Sequence, residues 1–189
     1  VAFNDFCGYY PIRHEVGGNM PEKAVTGYIK DMMESDVPKV MHNAQYDLGW
    51  LRWAGIEVQG PVYDTMTAAA MLDENRRWYN LNSLAADYLQ ERKNERLLKL
   101  AAADYGVDAK SGMWQLPARF VGQYAEQDAE STLILWQRLE VELYSQELMS
   151  ISFNSTNFVF LSQSKFIDIV GSFIFIFIIL FFCCVYKTN

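Results

Sequence analysis

Two short apolar runs each pass straight into a helix-period segment, and that alternation limits the chain to an α/β arrangement. Residues 37–42 read as a strand and residues 45–54 as a helix stopped by Gly55. Residues 58–63 read as a second strand, ending at Asp64-Thr65, and the alanine-rich residues 67–72 as the helix after it. Ahead of them, residues 1–3 and 8–12 ("GYYPI") are short aromatic strand candidates with a turn at "NDFCG" between them. Residues 21–34 fit an amphipathic helix with Pro21 in its first turn. The remainder is mostly helical: residues 81–90, residues 95–103 and a long stretch from Pro117 to about Leu148, after a Gly- and Pro-punctuated loop at 106–117. The prediction is α/β with an added helical part.

The pattern changes near residue 150. Nine of the 12 Phe lie beyond it, all five Trp lie before it, and residues 151–189 contain no Ala, Glu, Arg or Pro. Residues 166–186 carry one charge and are long enough to span a bilayer, bracketed by Lys165 and Lys187. Two origins compete for this tail: a membrane anchor, or read-through into AT-rich or out-of-frame sequence, which the abrupt loss of four residue types favours. The whole chain carries a net charge of −7. That balance opposes a broad duplex-binding surface, yet suits an enzyme that grips a few nucleotides and gathers carboxylates around metal ions. Cys7, Cys183 and Cys184 form no disulfide framework and no CxxC spacing, so a reducing compartment is the default.

Two carboxylates stand at positions that invite chemistry. In "HNAQYDLGWL", residues 42–51, Asp47 falls where a buried helix begins, just after Tyr46. The ordinary reading is a first-turn acid that favours the helix N-terminus. On the long helix, "QYAEQDAESTLILW" places Tyr124 and Asp128 four residues apart, one turn from each other on one face. The ordinary reading there is a core-edge aromatic beside a solvated acid.

Taken together, these two segments resemble the second and third motifs of the DEDDy 3′–5′ exonucleases, above all the proofreading domain of family A, phage-type DNA polymerases. Asn43 and Asp47 match N-x₃-D with an aromatic before the acid, and Tyr124 and Asp128 match Y-x₃-D. "GYYPIRH", "VYDTMTAAAMLDE" and "YNLNSLAADYL" resemble further landmarks in the family's order, so the resemblance covers residues 1–148. It implies a ribonuclease H-like exonuclease fold, with residues 149–189 as a separate Phe/Ile-rich hydrophobic tail. It also implies two divalent ions, Mg²⁺ or Mn²⁺, held by carboxylates and water. By resemblance, Asp128 ligates the ion that carries the attacking water and Tyr124 orients that water. Asp47 holds the second ion, mainly through water. Asn43 and Tyr46 contact the terminal nucleotides, and Lys110 and Arg119 are the cations best placed for the phosphate backbone. The partners implied are a single-stranded 3′ DNA end and a polymerase domain in cis, with a cytoplasmic location, or a membrane one if the tail is genuine.

One family motif has no counterpart. The first motif, D-x-E on the central strand, should precede "GYYPIRH", and no strand of this chain carries it. The expectation is a domain truncated at its N-terminal central strand and inactive, or nearly so, on its own. Rival readings are a ribonuclease D-like RNA exonuclease, which shares H-x-A-x₂-D-L and Y-x₃-D, and a membrane-anchored, catalytically dead nucleic-acid-binding protein. Among other residues, His14 and His42 lack a partner at metal spacing, and His42 is expected to hydrogen-bond beside the site strand. Asp64 reads as a helix cap, Trp50 and Trp53 as core, and "ERKNER" as a solvated turn whose Arg92, Lys93 and Arg96 could touch phosphates.

Overall fold

A single long helix, Ala118–Ser145, organises the domain. Its buried positions include Val121, Ala125, Asp128, Thr132, Leu135, Leu139 and Leu143, a spacing of three and four that keeps one stripe inside. Leu135, Trp136, Leu139 and Leu143 are each fully buried, and each such side chain contributes about 1.5–3 kcal/mol. Trp136 stacks on Tyr63 with ring centroids 4.5 Å apart, joining the helix to the sheet.

The computed structural model describes residues 1–3, 6–91 and 93–149, with the backbone of Ile174–Phe175. The strands are β1 (Ala2–Phe3), β2 (Phe6–Cys7), β3 (Lys39–Met41), β4 (Val62–Asp64) and β5 (Ile174–Phe175). The helices are α1 (Glu22–Met33), α2 (Ala44–Trp53), α3 (Thr65–Leu72), α4 (Leu81–Leu84), α5 (Arg96–Tyr105) and α6 (Ala118–Ser145), with a π-turn at Ala85–Leu89 and a 3₁₀ turn at Met113–Gln115. The sheet order is β2-β1-β5-β3-β4. β3 and β4 run parallel with Val40 opposite Tyr63. β5 is parallel to β3 and antiparallel to β1. The chain is thus a mixed α/β domain, as its alternation predicts.

Successive strand residues point to opposite faces, and β3 divides its side chains accordingly. Met41 joins a core with Val25, Ile29 and Met33 of α1 and Leu51 of α2. Val40 joins the other core with Ala68 of α3, Leu84 of α4 and Trp136 of α6. Both faces of the strand are covered, and Val40 and Met41, on opposite faces, are accordingly both apolar. Its first residue, Lys39, is fully buried; its ammonium donates to the Gln59 carbonyl at 2.7 Å and to the Ser35 carbonyl. A third core, with Leu98 and Ala101 of α5 against Leu116 and Val121, supports the start of α6.

Several boundaries differ from the sequence-based reading. "GYYPI" is not a strand: the hairpin partner lies earlier, with Ala2 opposite Cys7 and Phe3 opposite Phe6. Residues 8–12 instead run across α6, where the Tyr9 N–H donates to Glu126 Oε1 at 3.1 Å. β4 begins at Val62 rather than residue 58, because Gly60 is left-handed (φ +71) and packs on the Asp36 carbonyl, where a Cβ would come within 2.6 Å. The predicted helix at 81–90 divides into α4 and the π-turn. The hydrophobic tail and its possible span at 166–186 lie outside the described residues, apart from the backbone of β5. Among the described residues, no helix is long and apolar enough to cross a membrane.

Candidate active site

The candidate residues lie in two places: around the ends of β3 and β4 with the start of α2, and on the first half of α6. Asn43 ends the run from β3 in the left-handed region (φ 62, ψ 55), a conformation asparagine tolerates better than most residues. It turns the chain sharply enough for α2 to begin at Ala44. Asp64, at the end of β4, holds that turn. Its carboxylate accepts from the N–H groups of Asn43 (2.9 Å) and Ala44 (3.1 Å), and from Met66 N–H and the Thr67 hydroxyl in its own helix. One carboxylate therefore caps two helices, which agrees with reading Asp64 as a cap and adds a second helix to its role. Asp64→Ala should cost about 2–3 kcal/mol in thermal or urea unfolding, more than the loss of a single cap.

Asp47 is not acting as an ordinary first-turn acid. It is 7% exposed, and burial, with the charge of Asp64 adding to it, pushes its carboxyl up to about 7. A helix N-terminus favours a nearby carboxylate by about 0.3–1 kcal/mol, too little to offset that desolvation. Tyr46 beside it is 57% exposed, and Asn43 is also at the surface, on a cavity of about 270 Å³ between the starts of α2 and α3. Trp53 is 63% exposed, so it is not core; Trp50 is half-buried and meets Tyr46 and Trp53 edge to face.

On α6, Tyr124 is 7% exposed and Asp128 is fully buried. The Asp128 reading as a solvated acid therefore fails. Its carboxylate is engaged by the Tyr124 hydroxyl and the Lys93 ammonium. That ammonium forms an ion pair with Asp128 Oδ1, lies 4.7 Å from the centre of the Tyr124 ring, and donates to the Tyr124 hydroxyl at 3.4 Å. Burial raises the Asp128 carboxyl and the Lys93 charge opposes that rise. Burial, and then the charge of Asp128, also raise the Tyr124 phenol, so it stays protonated at neutral pH and serves as a hydrogen-bond donor rather than a base.

Lys93 is the residue that sequence reading placed wrongly. It belongs not to a solvated turn but to the site, with a side chain only 10% exposed. The other cations are peripheral. Arg119 is exposed and lies over Phe120 at 4.7 Å; five residues before Tyr124, it sits about 140° around α6 from it. Lys110 is exposed in a turn where its N–H donates to Asp108 Oδ1 at 2.9 Å. Arg92 lies outside the described residues. His42 pairs through Nδ1 with Thr65 Oγ1 at 2.9 Å, as expected for a structural role, and burial lowers it to about 4, leaving it neutral. His14 is likewise structural: buried, it bonds the Leu116 carbonyl and the Tyr9 hydroxyl. Among the described residues, no three His, Cys, Asp or Glu side chains cluster as a metal-binding group. The buried Asp128 carboxylate, which already pairs with the Lys93 ammonium, is nonetheless suited to a cation.

Most of the chain is similar to known proteins. The family model described as 3′-5′ exonuclease matches residues 3–144, which includes Asn43, Asp47, Tyr124 and Asp128. A DNA-directed DNA polymerase of Pseudomonas phage M6 is 38% identical over 147 residues, covering 76% of this chain and 22% of that protein. A DNA polymerase I of Synechocystis sp. is 33% identical over 140 residues, covering 71% of this chain and 13% of that protein. A DNA polymerase DpoZ of Salmonella phage PMBT28 is 28% identical over 154 residues, 78% of this chain and 24% of that protein. The chain thus spans less than a quarter of the length of these relatives. None of them favours the ribonuclease D-like or membrane-anchored reading. By its matched region and these relatives, the chain belongs to the 3′–5′ exonuclease family of DNA polymerase I-like proteins.

Proposed function

We propose that this chain provides part of the active site of a proofreading exonuclease. That activity removes nucleotides one at a time from a frayed, single-stranded 3′ DNA end, with a polymerase domain in the same protein. The observation that carries the reading is the Tyr124–Asp128 pair: a fully buried carboxylate holding a cationic partner, one helical turn from a protonated phenol. The mixed α/β order supports reading residues 1–148 as the exonuclease part, of ribonuclease H-like fold.

Asp128 and Asp47 are the residues that would hold divalent ions. Two such ions supply an activated water and stabilise the leaving 3′ oxygen when bound. The chain's own groups then divide the work. Asp128, in the first half of α6, would hold a cation that supplies charge to the reacting phosphate. Tyr124 donates its hydroxyl proton in a hydrogen bond that orients the nucleophile and takes no proton itself. Asp47 is kept out of water on α2, so a cation is the partner that makes its charged form favourable there. Asn43 and Tyr46, exposed at the rim, meet the terminal nucleotides, and Lys110 and Arg119 lie farther out, toward the backbone of the strand.

Among the described residues no strand carries D-x-E, so this chain should trim 3′ ends no faster than a buffer control. Extending it upstream by a strand carrying D-x-E should produce Mg²⁺- or Mn²⁺-dependent trimming of 3′ single-stranded DNA in one-nucleotide steps. A folded extended chain that leaves DNA intact, or that trims RNA in preference, would overturn the reading.

A further inference from the structure

We propose that Lys93 is a positioning residue that acts as the built-in counter-ion of Asp128, and that a divalent ion must displace it to enter the site. The proposal rests on the reading of Asp128 as a metal ligand and extends it to a residue outside the four family-matched positions.

Three observations carry it. The Lys93 ammonium occupies the location a cation held by Asp128 would take, against Oδ1 and beside the Tyr124 hydroxyl. The pair is enclosed, with side-chain exposures of 10% and 0%, so water does not screen it. The lysine also reaches the site from an irregular segment and not from a helix. That segment follows Gln90, which is left-handed (φ 57), and is tied to α6 by the Asn94 N–H, which donates to Gln127 Oε1 at 3.0 Å. Glu91 and Asn94 on either side are exposed. The four-carbon stem can therefore swing its ammonium to solvent while the segment stays anchored.

An ammonium and a divalent ion cannot both sit on one buried carboxylate. With no metal bound, Lys93 keeps Asp128 oriented and paired. Metal entry replaces one positive charge by two and releases the ammonium toward the mouth of the site. Lys93 thereby weakens metal affinity while keeping the empty site assembled. The charged or titratable groups around it are His42, Glu95, Tyr124 and Asp128. Of these, Glu95 is already engaged by Lys99 at 2.7 Å.

The test is Mn²⁺ binding by this chain, read from the electron paramagnetic resonance signal of free Mn²⁺ at fixed pH. Lys93→Met should bind Mn²⁺ about tenfold or more tightly than the unaltered chain, and Lys93→Arg, which keeps the charge, should not. Equal affinities in all three would overturn the role of Lys93. Binding that is unchanged by Asp128→Asn would instead overturn the metal-site reading beneath it. An independent measurement needs no variant of Lys93. In a lysine-ammonium ¹H–¹⁵N spectrum, the protected Lys93 signal should disappear as Mg²⁺ is added. Persistence of that signal at saturating Mg²⁺ would refute the displacement.

Discussion

Lys93→Met should destabilise the metal-free protein by about 3–5 kcal/mol near neutral pH, the range for removing one partner of a buried ion pair. Surface pairs in the same chain, such as Lys30 with Glu34 at 3.7 Å, are exposed and should contribute about 0.3–0.5 kcal/mol when broken. The difference lies in what is left behind. Asp128 is fully buried and pairs with the Lys93 ammonium, so removing the ammonium strands a charge out of water. The stranded carboxyl should then take up a proton more readily, since the Lys93 charge no longer holds its pKa down. The cost of the substitution should therefore shrink as pH falls, and urea unfolding of both proteins across a pH series would show it. A loss below about 1 kcal/mol at neutral pH would mean that the pair is solvated and no more valuable than a surface contact.

Asp47→Asn should act in the opposite direction, stabilising the metal-free chain by about 2–4 kcal/mol at pH 8. Burial and the nearby Asp64 charge raise the Asp47 carboxyl from 3.8 to about 7. Between those two values the folded chain holds a proton that the unfolded chain has lost. Stability from this group is therefore present below about pH 4, declines as pH rises, and levels off above about pH 7. Asparagine does not titrate, so its advantage should grow across the same window and vanish near pH 4. Melting temperatures of the two proteins in chelator at pH 4 and pH 8 would measure it. An acid that destabilises its own fold at neutral pH is what a site awaiting a cation produces, and Mg²⁺ or Mn²⁺ should reduce the difference.

Much of the site was legible because its signals are local. Tyr124 and Asp128 are four residues apart on a helix whose period is plain, and Asn43 and Asp47 flank a strand-to-helix turn. Asp64-Thr65 reads as a cap, since an acid at a strand end before an alanine-rich helix has few other uses. The elements that were misplaced depend on distant partners. The second hairpin strand sits at Phe6–Cys7 rather than in the more aromatic "GYYPI", because pairing with Ala2–Phe3 sets its position. Trp53 lies three residues after Trp50, a core-like spacing, yet nothing in that spacing tells which way the stripe faces. Lys93 is the clearest case. Within the run 91–96 it is one charge among alternating signs, and only the approach of α6, 35 residues later at Asp128, turns it into a buried counter-ion.

In the proposed reading, the Tyr124–Asp128 pair on α6 is the reaction centre of a 3′–5′ exonuclease. Its most direct test is the rate of 3′-terminal nucleotide release by the D-x-E-extended chain, before and after Asp128→Ala, with folding of both confirmed. The predicted result is metal-dependent release that falls by about 10³-fold or more in the variant, the scale of losing several kcal/mol of transition-state stabilisation. Release at an undiminished rate from folded Asp128→Ala protein would contradict the account.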